Sequence, residues 1–321
     1  MDKAEYVEAI NRIRTGKIHS SSEVVFFALD KMLQVLAEEK KLSKFAEFTL
    51  QLVKSRPTSA LLINVARELS REIIDHKEES IDGIIEHATR KVDELKKRIQ
   101  TSVELSAGIA EKRIESGDTI LTASYSLFVK KTIENALRKG KEIKIIVTES
   151  RPGSEGLRMA SELVSLGCDV TLIVDSAVRF VMKNVDKVLL SSESVTANGA
   201  NVNKIGSSQI ALAAHEARVR VFVVTTTLKF SPETIVGEMI EIPEADTSEI
   251  RELLEKKGLD KVKVKAPLFD VTPPEYIDAI ITEKGLVAPS FAIMTVRDLY
   301  GWPPRPLLLD ESLRELLGVD K

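Results

Sequence analysis

Apolar residues in the first third of the chain recur three and four positions apart, which is the spacing of residues on one face of a helix. The pattern predicts four helices before residue 70, the first of them over residues 2–15. A run of hydroxyl side chains from Ser20 is typical of the start of the second helix, and Pro57 separates the third helix from the fourth. This part of the chain therefore has the pattern of a helical region without strands.

The longest helical stripe follows, with apolar or small residues three and four positions apart from Ile81 to Ile114. Gly117 stands where a helix commonly ends. A helix of about 36 residues is roughly 54 Å long at ~1.5 Å per residue, which is longer than a small domain is wide. We therefore expect it to join a helical N-terminal domain, residues 1–116, to a second domain over residues 117–321.

From residue 118 the pattern changes to short apolar runs separated by helical segments of about 10–15 residues. The runs predict strands over residues 119–122, 143–147, 170–174, 186–190, 219–225 and 277–282. Alternation of this kind indicates an α/β domain with a doubly wound parallel sheet. In such sheets ligands bind beyond the carboxyl ends of the strands, where the loops meet.

Several polar side chains stand in loops that leave the carboxyl ends of these strands. They are Ser124, Arg151, Ser176, Glu193 and Lys229, and we expect them to gather in one crevice with Asn203 and Lys204. Residues 186–217 also have the order strand, polar loop, helix, and the N-terminus of a helix attracts phosphate. Lys204 adds positive charge to this loop, and Gly206 permits close backbone approach. An ordinary capped loop remains the other interpretation of the same stretch.

The charge balance does not indicate a nucleic-acid-binding protein. The net charge is −3 over 321 residues, with acidic and basic residues intermixed, whereas affinity for the phosphate backbone needs clustered Lys and Arg. No apolar run approaches the ~20 residues that span a bilayer, and the first residues, MDKAEY, do not resemble a signal peptide. We expect a cytoplasmic protein with no membrane partner and no direct contact with nucleic acid.

Metal and cofactor chemistry have little support in the sequence. The four histidines, His19, His76, His87 and His215, lack the paired spacing of a metal site. The single cysteine, Cys168, stands in a turn before a strand and is expected to be an inert thiol. Neither a Gly-x-Gly-x-x-Gly nor a Walker sequence occurs. We expect no metal and no bound cofactor.

Six segments together carry a resemblance to a known family. They are SRPTS at residues 55–59, VTESRP at 147–152, VDSA at 174–177, NGANVNKIGS at 198–207, LKF at 228–230 and FDVTPPEYID at 269–278. In this order they resemble the translation initiation factor 2B alpha/beta/delta family, which also contains archaeal ribose-1,5-bisphosphate isomerase and methylthioribose-1-phosphate isomerase. The resemblance covers nearly the whole chain. It implies an archaeal homologue with a Rossmann-like C-terminal domain and homodimers formed through that domain, and it leaves a hexamer open.

The resemblance also implies site residues. The isomerases of this family use a cysteine after the first strand and an aspartate in a Gly-Ala-Asp motif, and here Ser124 and Glu193 stand at these positions. The family's Arg-Gly-Ala segment corresponds to His-Ser-Ser at residues 19–21. The positions that match the family pattern are Arg56, Arg151, Asn203, Lys204 and Lys229, and with Ser176 they are expected to hold a phosphorylated ligand.

These substitutions lead to two functional hypotheses. A serine hydroxyl is a far weaker acid than cysteine, whose free pKa is about 8.5. Glu193 also moves its carboxylate by about one methylene, and a misplacement of ~1 Å can cost on the order of 10²-fold in rate. The favoured hypothesis is a non-catalytic regulatory subunit that binds a sugar phosphate or nucleotide monophosphate, with contact to initiation factor 2 or other 2B-like subunits left open. The alternative is an aldose–ketose isomerase acting on a phosphorylated pentose, with Glu193 as general acid/base and Ser124 as a substitute proton carrier.

Overall fold

The computed structural model describes residues 3–14, 18, 20–237, 239–301 and 309–318. Helices fill the first third of the chain, and a mostly parallel sheet flanked by helices follows them. The expected α/β architecture with a helical N-terminal region is therefore confirmed. None of the helices within these ranges is long and apolar enough to cross a bilayer.

The N-terminal region consists of α1 Lys3–Arg14, α2 Ser21–Glu39, α3 Leu42–Lys54, α4 Ala60–Asp75 and α5 Ile81–Glu111. α2 begins where its capping sequence predicts. The Oγ of Ser20 accepts a hydrogen bond from the Glu23 N–H at 3.1 Å, and the Glu23 carboxylate accepts one from the Ser20 N–H at 3.3 Å. These two bonds satisfy backbone donors that a helix start otherwise leaves unpaired.

α5 is the long helix that the sequence predicts, and its 31 residues span about 46 Å at ~1.5 Å per residue. Ile84, Val92 and Ile99 are buried in the core of the N-terminal helices. Ala110, near the other end, is buried in a core against the parallel sheet. The helix thus runs from one core to the other. The division of the chain into two domains at residue 116 stays a prediction.

The remaining helices are α6 Leu127–Arg138, α7 Glu155–Ser165, α8 Val178–Val181, α9 Ser207–Ala217, α10 Ser248–Glu255, α11 Ala292–Tyr300 and α12 Leu309–Leu317. Most of them flank the sheet, but α12 returns to the N-terminal helices. Leu309, Leu313 and Leu316 of α12 are buried in the same core as the side chains of α3 and α4. The end of the chain therefore packs against its beginning, which the sequence pattern did not predict.

The strands are β1 Thr119–Ala123, β2 Lys144–Thr148, β3 Asp169–Ile173, β4 Lys187–Leu190, β5 Ser194–Val195, β6 Asn201–Lys204, β7 Arg220–Val224, β8 Phe269–Thr272, β9 Ala279–Thr282 and β10 Gly285–Val287. Seven form one sheet in the order β10-β9-β7-β4-β1-β2-β3. All are parallel except β10, which pairs antiparallel with β9. The six predicted strands are all present in it. The chain runs outward in both directions from β1, so a crevice opens beyond the carboxyl ends of β1 and β4.

A second, antiparallel sheet in the order β5-β6-β8 was not predicted. Asn203 of β6 pairs with Asp270 of β8, and Lys204 pairs with Phe269. The stretch expected to be a polar loop before α9 is therefore a strand. Its Asn-Val-Asn-Lys sequence has one apolar residue, so it lacks the alternation by which a strand is recognised.

Candidate functional site

A narrow pocket lies beyond the carboxyl ends of β1 and β4. The N-terminus of α2, the segment before α4 and strand β6 close its other sides. Its volume is about 30 Å³, and it is partly open to solvent. Its lining includes six of the eight site residues expected from the sequence: Arg56, Ser124, Glu193, Asn203, Lys204 and Lys229. The fold therefore brings together residues that are up to 173 positions apart, from Arg56 to Lys229.

A buried ion pair joins the N-terminal helices to the sheet in this pocket. Arg56 donates from Nε to Glu193 Oε1 at 2.7 Å and from Nη2 to Oε2 at 3.1 Å. Burial alone would raise the pKa of Glu193, but the charges of Arg56 and Lys229 outweigh it and hold the pKa below its usual value. Glu193 is therefore a carboxylate at neutral pH.

Lys229 is 1% exposed and follows β7 in a short helical turn. Its Nζ donates to the carbonyl oxygen of Ser192 at 2.5 Å and lies 5.1 Å from the centre of the Phe128 ring. Burial lowers the pKa of Lys229, the charge of Glu193 raises it, and the charge of Arg56 lowers it. The net result is a pKa of about 8. Lys229 therefore holds a proton at neutral pH that it can release more readily than an ordinary lysine.

Lys204 forms the second ion pair of the pocket. Its Nζ lies 2.6 Å from Glu155 Oε1 at the start of α7. The ring of Phe269 lies between two cations, with its centre 5.5 Å from Lys204 Nζ and 5.5 Å from the Arg56 guanidinium carbon. Sequence reasoning missed Phe269 as a lining residue and Glu155 as the partner of Lys204, because each reaches these cations only through the folded chain.

Ser124 lies at the end of β1 with a φ of 59°, a left-handed conformation that is uncommon for a residue with a side chain. Its N–H donates to Ser150 Oγ at 2.7 Å. Ser124 does not cap the next helix, because Ser126 Oγ accepts the bond from Val129 N–H that caps α6. The Ser124 hydroxyl is thus placed at the pocket rather than used in a helix cap.

The N-terminus of α2 contributes Ser20, Ser21 and Ser22 to the pocket lining. Its position is fixed by Glu23, whose carboxylate accepts two hydrogen bonds from Arg158 of α7 at 2.9 and 3.2 Å. This end of the helix carries partial positive charge, so it adds to the attraction of the pocket for anions. His19, the first residue of the corresponding family motif, lies outside the described residues.

The expected phosphate site at the N-terminus of α9 is corrected by the structure. Asp270 occupies that position, and its Oδ2 accepts hydrogen bonds from Gly206 N–H at 2.8 Å and from Ser208 N–H at 3.1 Å. Burial raises the pKa of Asp270 to about 6. A carboxylate side chain of β8 therefore takes the position at this helix end where a phosphate was expected.

Two other expected positions also differ. Arg151 lies in an adjoining cavity of about 210 Å³, which shares Lys204 with the first pocket. The Arg151 guanidinium is partly exposed there and bonds Glu249 of α10 at 3.1 Å. Ser176 is exposed after β3 and is not part of either cavity. β3 is the edge strand, two strands away from β1, so its loop opens too far from the crevice.

The described lining of the first pocket includes a single carboxylate, Glu193, and no imidazole or thiol. Because Arg56 already holds that carboxylate, these residues do not form a set of metal ligands. The arrangement instead suits an anionic ligand. Three cationic side chains and a helix N-terminus surround one carboxylate, and one of the three cations, Lys229, has a pKa of about 8.

Comparison with known proteins gives relatives of two kinds. The model of the Initiation factor 2 subunit family matches residues 17–289. Ribose 1,5-bisphosphate isomerase of Archaeoglobus fulgidus is 38% identical over 302 residues, which are 93% of this chain and 94% of that protein. The crystal structure of translation initiation factor eIF-2B from Pyrococcus horikoshii OT3 is 27% identical, with a TM-score of 0.77 over 91% of this chain and 100% of that one.

Oligomers occur among proteins with this fold. The tetrameric eIF2B beta2-delta2 complex from C. thermophilum contains a chain with a TM-score of 0.69 and 19% identity, covering 93% of this chain and 95% of that one. At this identity the likeness concerns the fold alone.

Proposed function

This chain belongs to the Initiation factor 2 subunit family, and we propose that within the family it is an aldose–ketose isomerase acting on a phosphorylated pentose. The relative named as an isomerase is more similar, at 38% identity, than the compared initiation factor structure, at 27%. The expectation of a non-catalytic regulatory subunit has weaker support from these comparisons. One observation carries the proposal: a carboxylate and a lysine of lowered pKa face the same anion-attracting pocket.

The reaction moves the proton of C2 to C1 and passes the proton of the C2 hydroxyl to the oxygen that C1 releases, which in ribose 1,5-bisphosphate is the ring oxygen, and it consumes no other reactant. It needs a base that takes the C2 proton and an acid that supplies one. Glu193 is ionised and serves as the base. Lys229, with its pKa of about 8, is protonated at neutral pH and serves as the proton donor. This assignment gives the donor role to Lys229 instead of Ser124, since a serine hydroxyl is a much weaker acid.

The phosphate groups are assigned to the cationic side of the pocket. The N-terminus of α2 and Lys204 hold one phosphate, while Arg56 keeps Glu193 in place through its Nε and Nη2. The adjoining cavity, which is lined by Arg151 and shares Lys204 with the pocket, accommodates a second phosphate. Because Lys204 bonds Glu155 in this structure, we expect Lys204 to exchange that carboxylate for the phosphate when the ligand binds.

Incubation of the full-length protein with ribose 1,5-bisphosphate, followed by ³¹P and ¹³C NMR, tests the proposal. We expect conversion to a ketose bisphosphate by the wild type, and its loss in Glu193→Gln and Lys229→Met. Arg138→Gln, which removes an exposed ion pair with Glu134 remote from the pocket lining, is the matched control and should convert normally. Absence of conversion by the wild type at high protein concentration and high temperature contradicts the proposal.

A regulatory, non-catalytic role is the second candidate, and the bidentate bond between Arg56 and Glu193 favours it. Such a bond reduces the basicity of the carboxylate and the freedom of the guanidinium. Titration calorimetry with pentose phosphates and nucleoside monophosphates separates the two candidates, because binding without conversion identifies a sensor. Co-purification with initiation factor 2 tests the partner that this candidate implies.

A homo-oligomer is the assembly we propose for either function. Apolar side chains are exposed on β8 and around α11, including Val271, Phe291, Ile293 and Met294. Light scattering after size-exclusion chromatography measures the mass, and substitution of Phe291 by Glu should reduce it if this surface forms the contact. A monomeric wild-type protein would rule the assembly out.

A further inference from the structure

Two histidines and two glutamates meet where α4 ends and α5 begins, at a corner of the N-terminal region that is not part of either cavity described above. Glu72 and His76 stand one turn apart at the end of α4, Glu79 lies in the connection, and His87 is on α5. The two imidazole rings stack with their centres 3.5 Å apart. His76 and His87 are separated by ten residues in the sequence, which is why their spacing did not suggest a metal site.

Each imidazole presents one nitrogen to Glu72 and the other to Glu79. Glu72 Oε1 lies 3.4 Å from His76 Nε2 and 3.7 Å from His87 Nδ1. On the other side, Glu79 lies 2.8 Å from His76 Nδ1 and 3.5 Å from His87 Nε2. The ligand atoms of Glu72, His76 and His87 all lie within 4.8 Å of one another.

The two separations from Glu72 are close to those of a tetrahedral metal centre. Bonds of ~2.0–2.1 Å from Zn²⁺ to nitrogen and oxygen place neighbouring ligand atoms about 3.3 Å apart, and the Glu72 distances are 3.4 and 3.7 Å. The two rings are stacked, so they must tilt apart for both nitrogens to face one ion. Glu79 then occupies the place of an outer carboxylate that accepts a hydrogen bond from the ring nitrogen of His76 and fixes its tautomer.

We propose that Glu72, His76 and His87 bind a divalent transition metal ion, with Zn²⁺ as the best match to two imidazoles and a carboxylate. A water molecule completes the four ligands. Arg90 Nη2 lies 3.1 Å from His87 Nδ1 and must swing into solvent, which is open to it because Arg90 is exposed. The ion ties the end of α4 to the start of α5 and thereby stabilises the N-terminal helices. It does not depend on the proposed isomerase activity.

Binding of Zn²⁺ to the full chain after chelator treatment tests this site. Calorimetry should give one Zn²⁺ per chain and a higher melting temperature, and Co²⁺ in its place should give the visible absorption of a tetrahedral centre. His76→Ala and His87→Ala should each abolish the Zn²⁺ binding, the rise in melting temperature and the Co²⁺ absorption. Glu79→Gln should weaken binding by about 10- to 100-fold. His215→Ala, which removes an exposed histidine on α9, is the matched control and should bind as the wild type does.

Two results would overturn the proposal. One is a wild-type chain that takes up no Zn²⁺ or Co²⁺ at near-neutral pH, which would leave the histidines as a stacked pair held by carboxylates. The other is stoichiometric uptake that persists in the His76→Ala/His87→Ala double variant. Circular dichroism of each variant establishes that it is folded, and Glu72→Gln gives a third variant that retains both rings.

Discussion

The substitution Arg56→Met tests the buried ion pair on which the whole pocket depends. The side chains of Arg56 and Glu193 are 9% and 5% exposed. With charge centres about 4 Å apart and an effective dielectric constant of ~20, their attraction is about 4 kcal/mol, and the loss of hydration offsets much of it. Removal of one partner leaves the other charge buried and unpaired. We therefore expect the free energy of unfolding to fall by about 3–5 kcal/mol.

The charge of Lys229 determines how large the loss of unfolding free energy is within the range of about 3–5 kcal/mol. Lys229 is the other cation whose charge lowers the pKa of Glu193, so it compensates part of the lost interaction and moves the result toward the lower value. Arg56 also lowers the pKa of Lys229. The Arg56→Met variant should therefore show a lysine pKa above the value of about 8 in the wild type, while Glu193→Gln should show one below it.

Urea unfolding monitored by circular dichroism at pH 7 measures the change. Lys40→Met, which removes an ion pair with Asp82 whose side chains are 54% and 76% exposed, is the control and should cost less than about 1 kcal/mol. The triple variant Arg56→Met/Glu193→Leu/Lys229→Met should recover most of the stability, since it also removes the buried cation that pairs with Glu193 and so buries no unpaired charge. If Arg56→Met costs no more than Lys40→Met, the two charges are not buried against each other and the reasoning fails.

Three further outcomes are expected. Affinity for a phosphorylated pentose, measured by calorimetry, should fall as the pH rises through about 8 because Lys229 loses its charge, and Lys229→Arg should move this fall to higher pH. Because the pKa of Lys229 in the folded chain, about 8, lies below the ordinary lysine value of 10.5, the unfolding free energy should rise from pH 8 to 10.5 in the wild type but not in Lys229→Met. Glu23→Gln should free α2 from Arg158 and weaken pentose phosphate binding about two- to tenfold, whereas Glu315→Gln, which removes an exposed bridge to Lys77, should leave it unchanged.

Much of the fold could be predicted because its elements are encoded locally. The stripe of α5 and the apolar runs of the six parallel strands are properties of short windows of sequence. The small antiparallel sheet is different, because β6 and β8 are four-residue segments about 65 residues apart that form strands by pairing with each other. A pattern read along one segment cannot show such a pairing.

The candidate site could be predicted in part for the same reason. The loops after β1 and β4 converge by the general rule for parallel sheets, and Ser124 and Glu193 meet there as expected. The position of Ser176 depends on the order of strands across the sheet, which the order along the chain does not give. Asp270 reaches the N-terminus of α9 because β8 pairs with β6 in the second sheet. The sequence alone therefore could not show whether a phosphate or a carboxylate side chain occupies that helix end.

The choice between isomerase and regulator depends on the groups that can move a proton. From the sequence, the absence of a thiol at Ser124 argued against catalysis, because serine was the candidate donor. The fold places Lys229 in the same pocket with a pKa of about 8, so a donor is present without the thiol. Glu193 is ionised and can accept a proton, although Arg56 makes it a weaker base than a free carboxylate. The missing thiol is therefore no longer an argument against catalysis. The choice between isomerase and regulator depends instead on how strongly Arg56 binds Glu193 when the ligand is present.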